Sequence, residues 1–179
     1  IISGLTSLTH LATSIEEGFD VAALSKLSNL ELIQLDASGL ASHDISLDFL
    51  TGLIDLKEII LTNFEQADLS VLSNLPQSEQ IKHIKLANSS ISNLNFLKNL
   101  PQLEWLSLEN MGLSEFDASI LLNPDNLTVL DIPNNQLNHI LSIERLVNLI
   151  YLNVENNNIS SIEPVRYLNQ LEMLIVRDN

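Results

Sequence analysis

Four histidines, one adjacent pair of glutamates and a scatter of serines are the residues here that could do chemistry. His10, His43, His83 and His139 stand far apart, with no H-x-x-x-H or E-x-x-H spacing to put two ligands on one helical face. The acidic groups Glu16-Glu17 and Glu109 with Glu115 and Asp117 lack the alternating Asp/Asn and Gly of a calcium loop, and read as solvated surface. His83, Lys85 and Ser107 could approach one another across adjacent strands. A nucleophile and its base also need an orienting group and an oxyanion site, and the sequence supplies neither. There is no phosphate loop and no G-x-G-x-x-G. With no cysteine at all, thiol catalysis, Cys-type zinc and disulfide-stapled caps are excluded. The reading is of no catalytic residue, no metal and no cofactor.

Recognition is the chemistry that remains, and charge limits its partners. Eight basic residues against 23 acidic ones give a net charge of −15. Nucleic-acid binding draws on neutralised phosphates and an anionic membrane surface on the same attraction, so both are excluded. No run of about 18 apolar residues could insert into a membrane. A protein ligand is the expected partner. The triplets at Asn88, Asn126 and Asn158 match the glycosylation sequon, a pattern that an asparagine-rich repeat produces by chance.

The elements that would position such a site follow from one repeated pattern. Leu127, Leu130, Ile132, Asn135, Leu137, Ile140, Leu146 and Leu149 recur 22 positions later as Leu149, Leu152, Val154, Asn157, Ile159, Ile162, Leu168 and Leu171. In L-x-x-L-x-L-x-x-N the apolar residues alternate as in a half-buried strand. The asparagine can satisfy backbone groups that the turn would otherwise bury unpaired. No such unit buries its own apolar face, so units must stack, and the spacing is that of a leucine-rich repeat. Units start at Leu8, Leu30, Leu56, Ile81, Leu103, Leu127, Leu149 and Leu171. The expected fold is an α/β solenoid, a right-handed superhelix with a parallel sheet on its concave face and short helical or 3-10 segments on its convex face. Residues 1–179 make one domain of about seven full repeats plus a partial one. Because the pattern runs into both ends, a piece of a longer protein is expected.

Two irregularities stand out. The first unit has Thr13 where an apolar residue is expected, and should be the least stable. The asparagine column reads Ser38, Phe64, Ser89, Met111, Asn135, Asn157 and Asn179. Serine can serve there as a smaller hydrogen-bonding group. Phe64 and Met111 cannot, and since Asn63 and Asn110 sit one residue earlier, those two turns are expected to be locally rebuilt.

The segments Asn148 to Val165 and Ile84 to Leu97, with the I-S-x-I-x-P-V close at Ile159 to Val165, resemble the 22-residue repeat of the internalin family, surface proteins of Gram-positive bacteria. The units starting at Leu30, Leu56 and Leu103 depart from the uniform family length. Intracellular regulators of the phosphatase-subunit type share much the same repeat, so a cytoplasmic scaffold is the alternative. The resemblance implies a curved parallel sheet, recognition of a host or cell-surface protein through the concave face, and no enzymatic activity.

Alternation then assigns the concave residues. The third position of each unit gives His10, Leu32, Glu58, His83, Trp105, Val129, Tyr151 and Met173; the fifth includes Lys85, Ser107, Asp131 and Asn153; the seventh includes Glu109, Glu155 and Arg177. A face that met only water would be polar. Here the single tryptophan and one of the two tyrosines flank Val129, in a line about 10 Å long at the spacing of adjacent strands. The expected partner-binding set is Trp105, Val129, Tyr151 and Met173, rimmed by Asp131, Asn153, Glu109, Glu155, Arg177 and Lys85.

Overall fold

A computed structural model describes residues 4–40, 45–64, 69–89 and 93–179. His43 and the last residue of the Asn88 triplet lie outside the described residues. Eight strands form one parallel sheet: β1 (His10–Glu16), β2 (Leu32–Gly39), β3 (Glu58–Thr62), β4 (His83–Ala87), β5 (Trp105–Glu109), β7 (Val129–Asp131), β9 (Tyr151–Asn153) and β10 (Met173–Ile175). Their spatial order is their chain order, one strand per coil. A second, two-stranded sheet pairs β6 (Phe116–Asp117) with β8 (Ile140–Leu141) in the returning halves of two successive coils.

The register matches the repeat frame residue for residue. His10 pairs with Leu32, then Glu58, His83, Trp105, Val129, Tyr151 and Met173 follow in one unbroken row. One residue along, Ile33, Ile59, Ile84, Leu106, Leu130 and Leu152 form the row beneath, and all are buried. With side chains alternating across a strand, the first row faces the concavity and the second the core. In the last coil Leu174, in the same row, remains 38% exposed because a neighbouring coil covers it on one side only.

The chain returns along the convex side through nine 3-10 segments among the described residues, none longer than six residues. Once the strand and two turns are built, a 22-residue unit leaves no length for an α-helix, and the tighter 3-10 turn closes in its place. Neighbouring segments come close. A Cβ at Gly52, in the segment Asp48–Gly52, would stand 2.7 Å from the Ser25 carbonyl of the preceding coil. Phe64, Phe96 and Phe116 are the largest fully buried side chains and fill the space between the sheet and these segments.

Thr13 is half-buried against Leu35, and β1 runs on past it through a register shift that buries Ile15. The expected rebuilding of two turns does not occur. Asn63 and Asn110 adopt φ of 64° and 51°, the same left-handed conformation as Asn88, Asn134 and Asn156. These asparagines form a column of their own, one residue ahead of the buried column, and asparagine tolerates left-handed backbone better than other residues with a Cβ. Phe64 and Met111 therefore replace only the buried asparagine, while the turn itself is unchanged.

Candidate functional site

The buried asparagines work as the sequence predicts. The Asn135 amide donates to the carbonyls of Leu108 (2.8 Å) and Pro133 (2.9 Å), and its oxygen accepts from the N–H groups of Met111 and Leu113. Asn157 repeats this one coil on, donating to Ile132 and Val154 and accepting from Leu137. Where the column holds Ser89, its hydroxyl accepts from Phe64 N–H at 3.1 Å. Above Phe64, which has no acceptor to offer, the Asp36 carboxylate takes the N–H of Ser38 at 3.0 Å. The Ser89, Asn135 and Asn157 contacts tie one turn to its neighbour, whereas the Asp36 contact closes its own turn, and the inter-coil ties help hold the concave rows in place.

On the concave face the third row reads Glu58, His83, Trp105, Val129, Tyr151, Met173. Trp105 is 41% exposed and Met173 52%, with Val129 and Tyr151 half-buried between them. Trp105 meets the edge of His83 at a ring separation of 5.7 Å, and His83 Nδ1 lies 3.3 Å from a Glu58 carboxylate oxygen. The line of apolar residues thus continues into a polar pair. His83 and Glu58 are missing from the binding set read from sequence, although their place in the third position marks them as members of the row.

The fifth row runs Lys85, Ser107, Asp131, Asn153. Ser107 is fully buried and donates its hydroxyl to Asp131 Oδ2 at 2.9 Å; Asn153 donates its amide to Asp131 Oδ1 at 2.9 Å and accepts from Glu155 N–H. Asn153 is itself buried, so its role is to hold Asp131 and the following turn. The remaining charges pair along the solenoid, Lys85 with Glu109 at 3.7 Å and Arg177 with Glu155 at 2.9 Å. Burial, and next the nearby Asp131 charge, raise the Tyr151 phenol above the ordinary tyrosine value, so this ring remains neutral well past physiological pH. The Ser107 hydroxyl is engaged by the Asp131 carboxylate. The three histidines among the described residues lie apart: His10 and His139 are exposed, and His83 is engaged by Glu58.

No family model matches this chain, and no curated protein does. Solved structures do. An internalin (inlF) from Listeria monocytogenes aligns at 26% identity with a TM-score of 0.71, over 96% of this chain and 48% of that one. The leucine-rich repeat ectodomain of the plant membrane receptor kinase GASSHO1/SCHENGEN3 from Arabidopsis thaliana, solved with CASPARIAN STRIP INTEGRITY FACTOR 2, aligns at 23% identity and TM-score 0.73, over 98% of this chain and 22% of that one. A plant peptide hormone receptor, RGFR1 in complex with RGF2, aligns at 14% identity and TM-score 0.60, over 99% and 37%. The chain spans about half the length of the internalin and less of either receptor.

Proposed function

We propose that this chain, whose fold is an internalin-like leucine-rich repeat solenoid, is a protein-binding module that engages a host or cell-surface protein through its concave sheet. The leucine-rich repeat is a general protein-binding fold, used by the plant receptors above in complexes with their ligands. The observation that carries the reading is the apolar row Trp105, Val129, Tyr151, Met173, presented on the strand face opposite the buried leucine row. Aromatic anchors of this kind bring large contact area at small entropic cost and dominate interface energetics. Glu109, Glu155, Arg177 and Lys85, paired with one another at the margin, form the polar rim. The module acts by binding, without an enzymatic step, on the outside of a Gram-positive bacterium.

Trp105→Ala tests it. Capture from host-cell surface extracts with the wild-type domain, followed by affinity measurement on the purified partner, should show a loss of about 2 kcal/mol, roughly 30-fold in Kd, with an unchanged melting temperature. A partner that binds Trp105→Ala, Tyr151→Ala and Met173→Ala as tightly as wild type removes the concave row from the interface.

A further inference from the structure

Among the described residues, one carboxylate beside the aromatic row has no basic side chain against it. Glu58 faces His83, Glu109 faces Lys85 and Glu155 faces Arg177. Asp131 makes no ion pair among the described residues; each of its oxygens accepts one neutral hydrogen bond, Oδ2 from the Ser107 hydroxyl and Oδ1 from the Asn153 amide. Lys85, the nearest cation in its row, lies two strands away, about 10 Å, and is turned to Glu109. Asp36, also without a cation, stands four strands along the sheet, where Ser38 and Asn63 supply its donors. Asp131 is therefore a half-buried charge held in a fixed orientation by a buried serine and a buried asparagine, and one acceptor site on each oxygen remains open.

Its surroundings narrow what can fill those sites. Val129, two residues earlier on the same strand face, forms a floor, and Trp105 and Tyr151 stand on the strands to either side of it. His83 occupies the β4 side of the indole. A group entering from the concavity over Val129 passes between Trp105 and Tyr151, on strands about 10 Å apart, and reaches a carboxylate each of whose oxygens has already taken one neutral donor. Stacking on aromatic rings together with two parallel N–H donors is the profile of a guanidinium. An ammonium offers a point charge and cannot fill both sites in one plane. The chain's net charge of −15 draws a basic segment to the face in the first place.

We infer that the slot bounded by Trp105, Val129, Tyr151 and Asp131 receives an arginine side chain from the partner protein. This rests on the concave-face reading and specifies the partner's chemistry there. Trp105 is the only tryptophan in the chain, so its fluorescence reports on this slot alone. The probes are three capped tetrapeptides, identical but for arginine, citrulline or lysine at one position, titrated into the domain at physiological salt. The arginine peptide should give a saturable change in Trp105 emission. Citrulline, which keeps the shape and loses the charge, and lysine should each bind at least tenfold more weakly. In Asp131→Asn, which keeps both neutral contacts within reach, the arginine response should fall at least tenfold while melting temperature is held. The wild-type comparison of arginine with citrulline does not depend on how that variant folds. Citrulline or lysine equal to arginine, an unaffected Asp131→Asn, or no saturable response into the tens of millimolar overturns the inference. A natural partner that needs Trp105 and ignores Asp131 overturns it too, while leaving the concave-face reading standing.

Discussion

Replacing Asn135 by leucine should be among the most damaging single changes to this fold. The site is buried, and its oxygen is the acceptor for two N–H groups of the preceding coil, Met111 at 3.0 Å and Leu113 at 3.1 Å. Leucine fits the volume, as Met111 does in its own coil, but leaves both donors without a partner in residues that are themselves buried. An unsatisfied buried group costs roughly 1 to 3 kcal/mol, so two cost about 2 to 6, reduced by the apolar area that leucine buries. Asn135→Ser should lose less, because a serine fills this role at Ser89. Urea unfolding gives the global loss. Hydrogen exchange at the Met111 and Leu113 amides locates it, and protection there should drop by about 30-fold or more for each 2 kcal/mol lost. If Asn135→Leu unfolds within 0.5 kcal/mol of wild type, or if exchange at those two amides is unchanged, the asparagine is not what pairs them and the account of the turn is wrong.

Other outcomes can be checked alongside. Asn156→Gly should be close to neutral and Asn156→Leu should cost about 1 to 2 kcal/mol, because φ of 53° suits glycine and asparagine and strains a branched side chain; melting temperatures decide. Leu106→Ala, in the buried row, should cost roughly 2 to 5 kcal/mol of unfolding free energy, against almost nothing for Trp105→Ala one residue before it. The hydrogen bonds from Asn63 and Ser38 hold the Asp36 carboxyl below the ordinary aspartate value. A depressed folded pKa stabilises the fold above the unfolded pKa and is lost as pH falls through the folded one, so stability should decline below about pH 4, and less steeply in Asp36→Asn. The phenolate absorbance of Tyr151 should appear above pH 10 and move down in Asp131→Asn, since after burial the Asp131 charge is the largest cause of its shift. Amide exchange along the solenoid should be faster in residues 8 to 30, where Thr13 interrupts the apolar column, than in 127 to 171.

The coil register was legible from the repeat frame, since aligning the leucine positions of two units fixes which residues are laterally paired even where the units differ in length. The row from His10 to Met173 follows from it, whereas the register shift after Ser14 in β1 does not. Period does not say what a side chain does with its lateral neighbours. Asn153 and Ser107 fall on the outward face by alternation, yet both are buried, and each spends a donor on Asp131 between them. Asn63 and Asn110 looked like displaced members of one asparagine column because the sequence alone does not separate a residue chosen for its hydrogen bonds from one chosen for its backbone angle. Two columns with different physical demands happen to favour the same amino acid. The pairing of β6 with β8 joins Phe116 to Ile140, the same position of two successive units, but the leucine pattern does not mark that return segment as a strand.

The left-handed asparagines also touch one another. Asn63 donates its amide to Asp36 at 2.6 Å, Asn88 to Asn63 at 3.0 Å, and Asn110 to Asn88 at 2.9 Å; further along, Asn156 donates to Asn134 at 2.8 Å. Every donor points toward the amino-terminal end of the stack. The amides are therefore wired in series, and the negative charge on Asp36 polarises the first, which makes its oxygen a better acceptor for the second, and so on to Asn110. The outer edge of the solenoid carries a current-free conductor of polarity, with its anchor at Asp36. Removing that charge should loosen not one bond but the set, and a coil inserted between these units would preserve the series only if it carried an asparagine at the same bend.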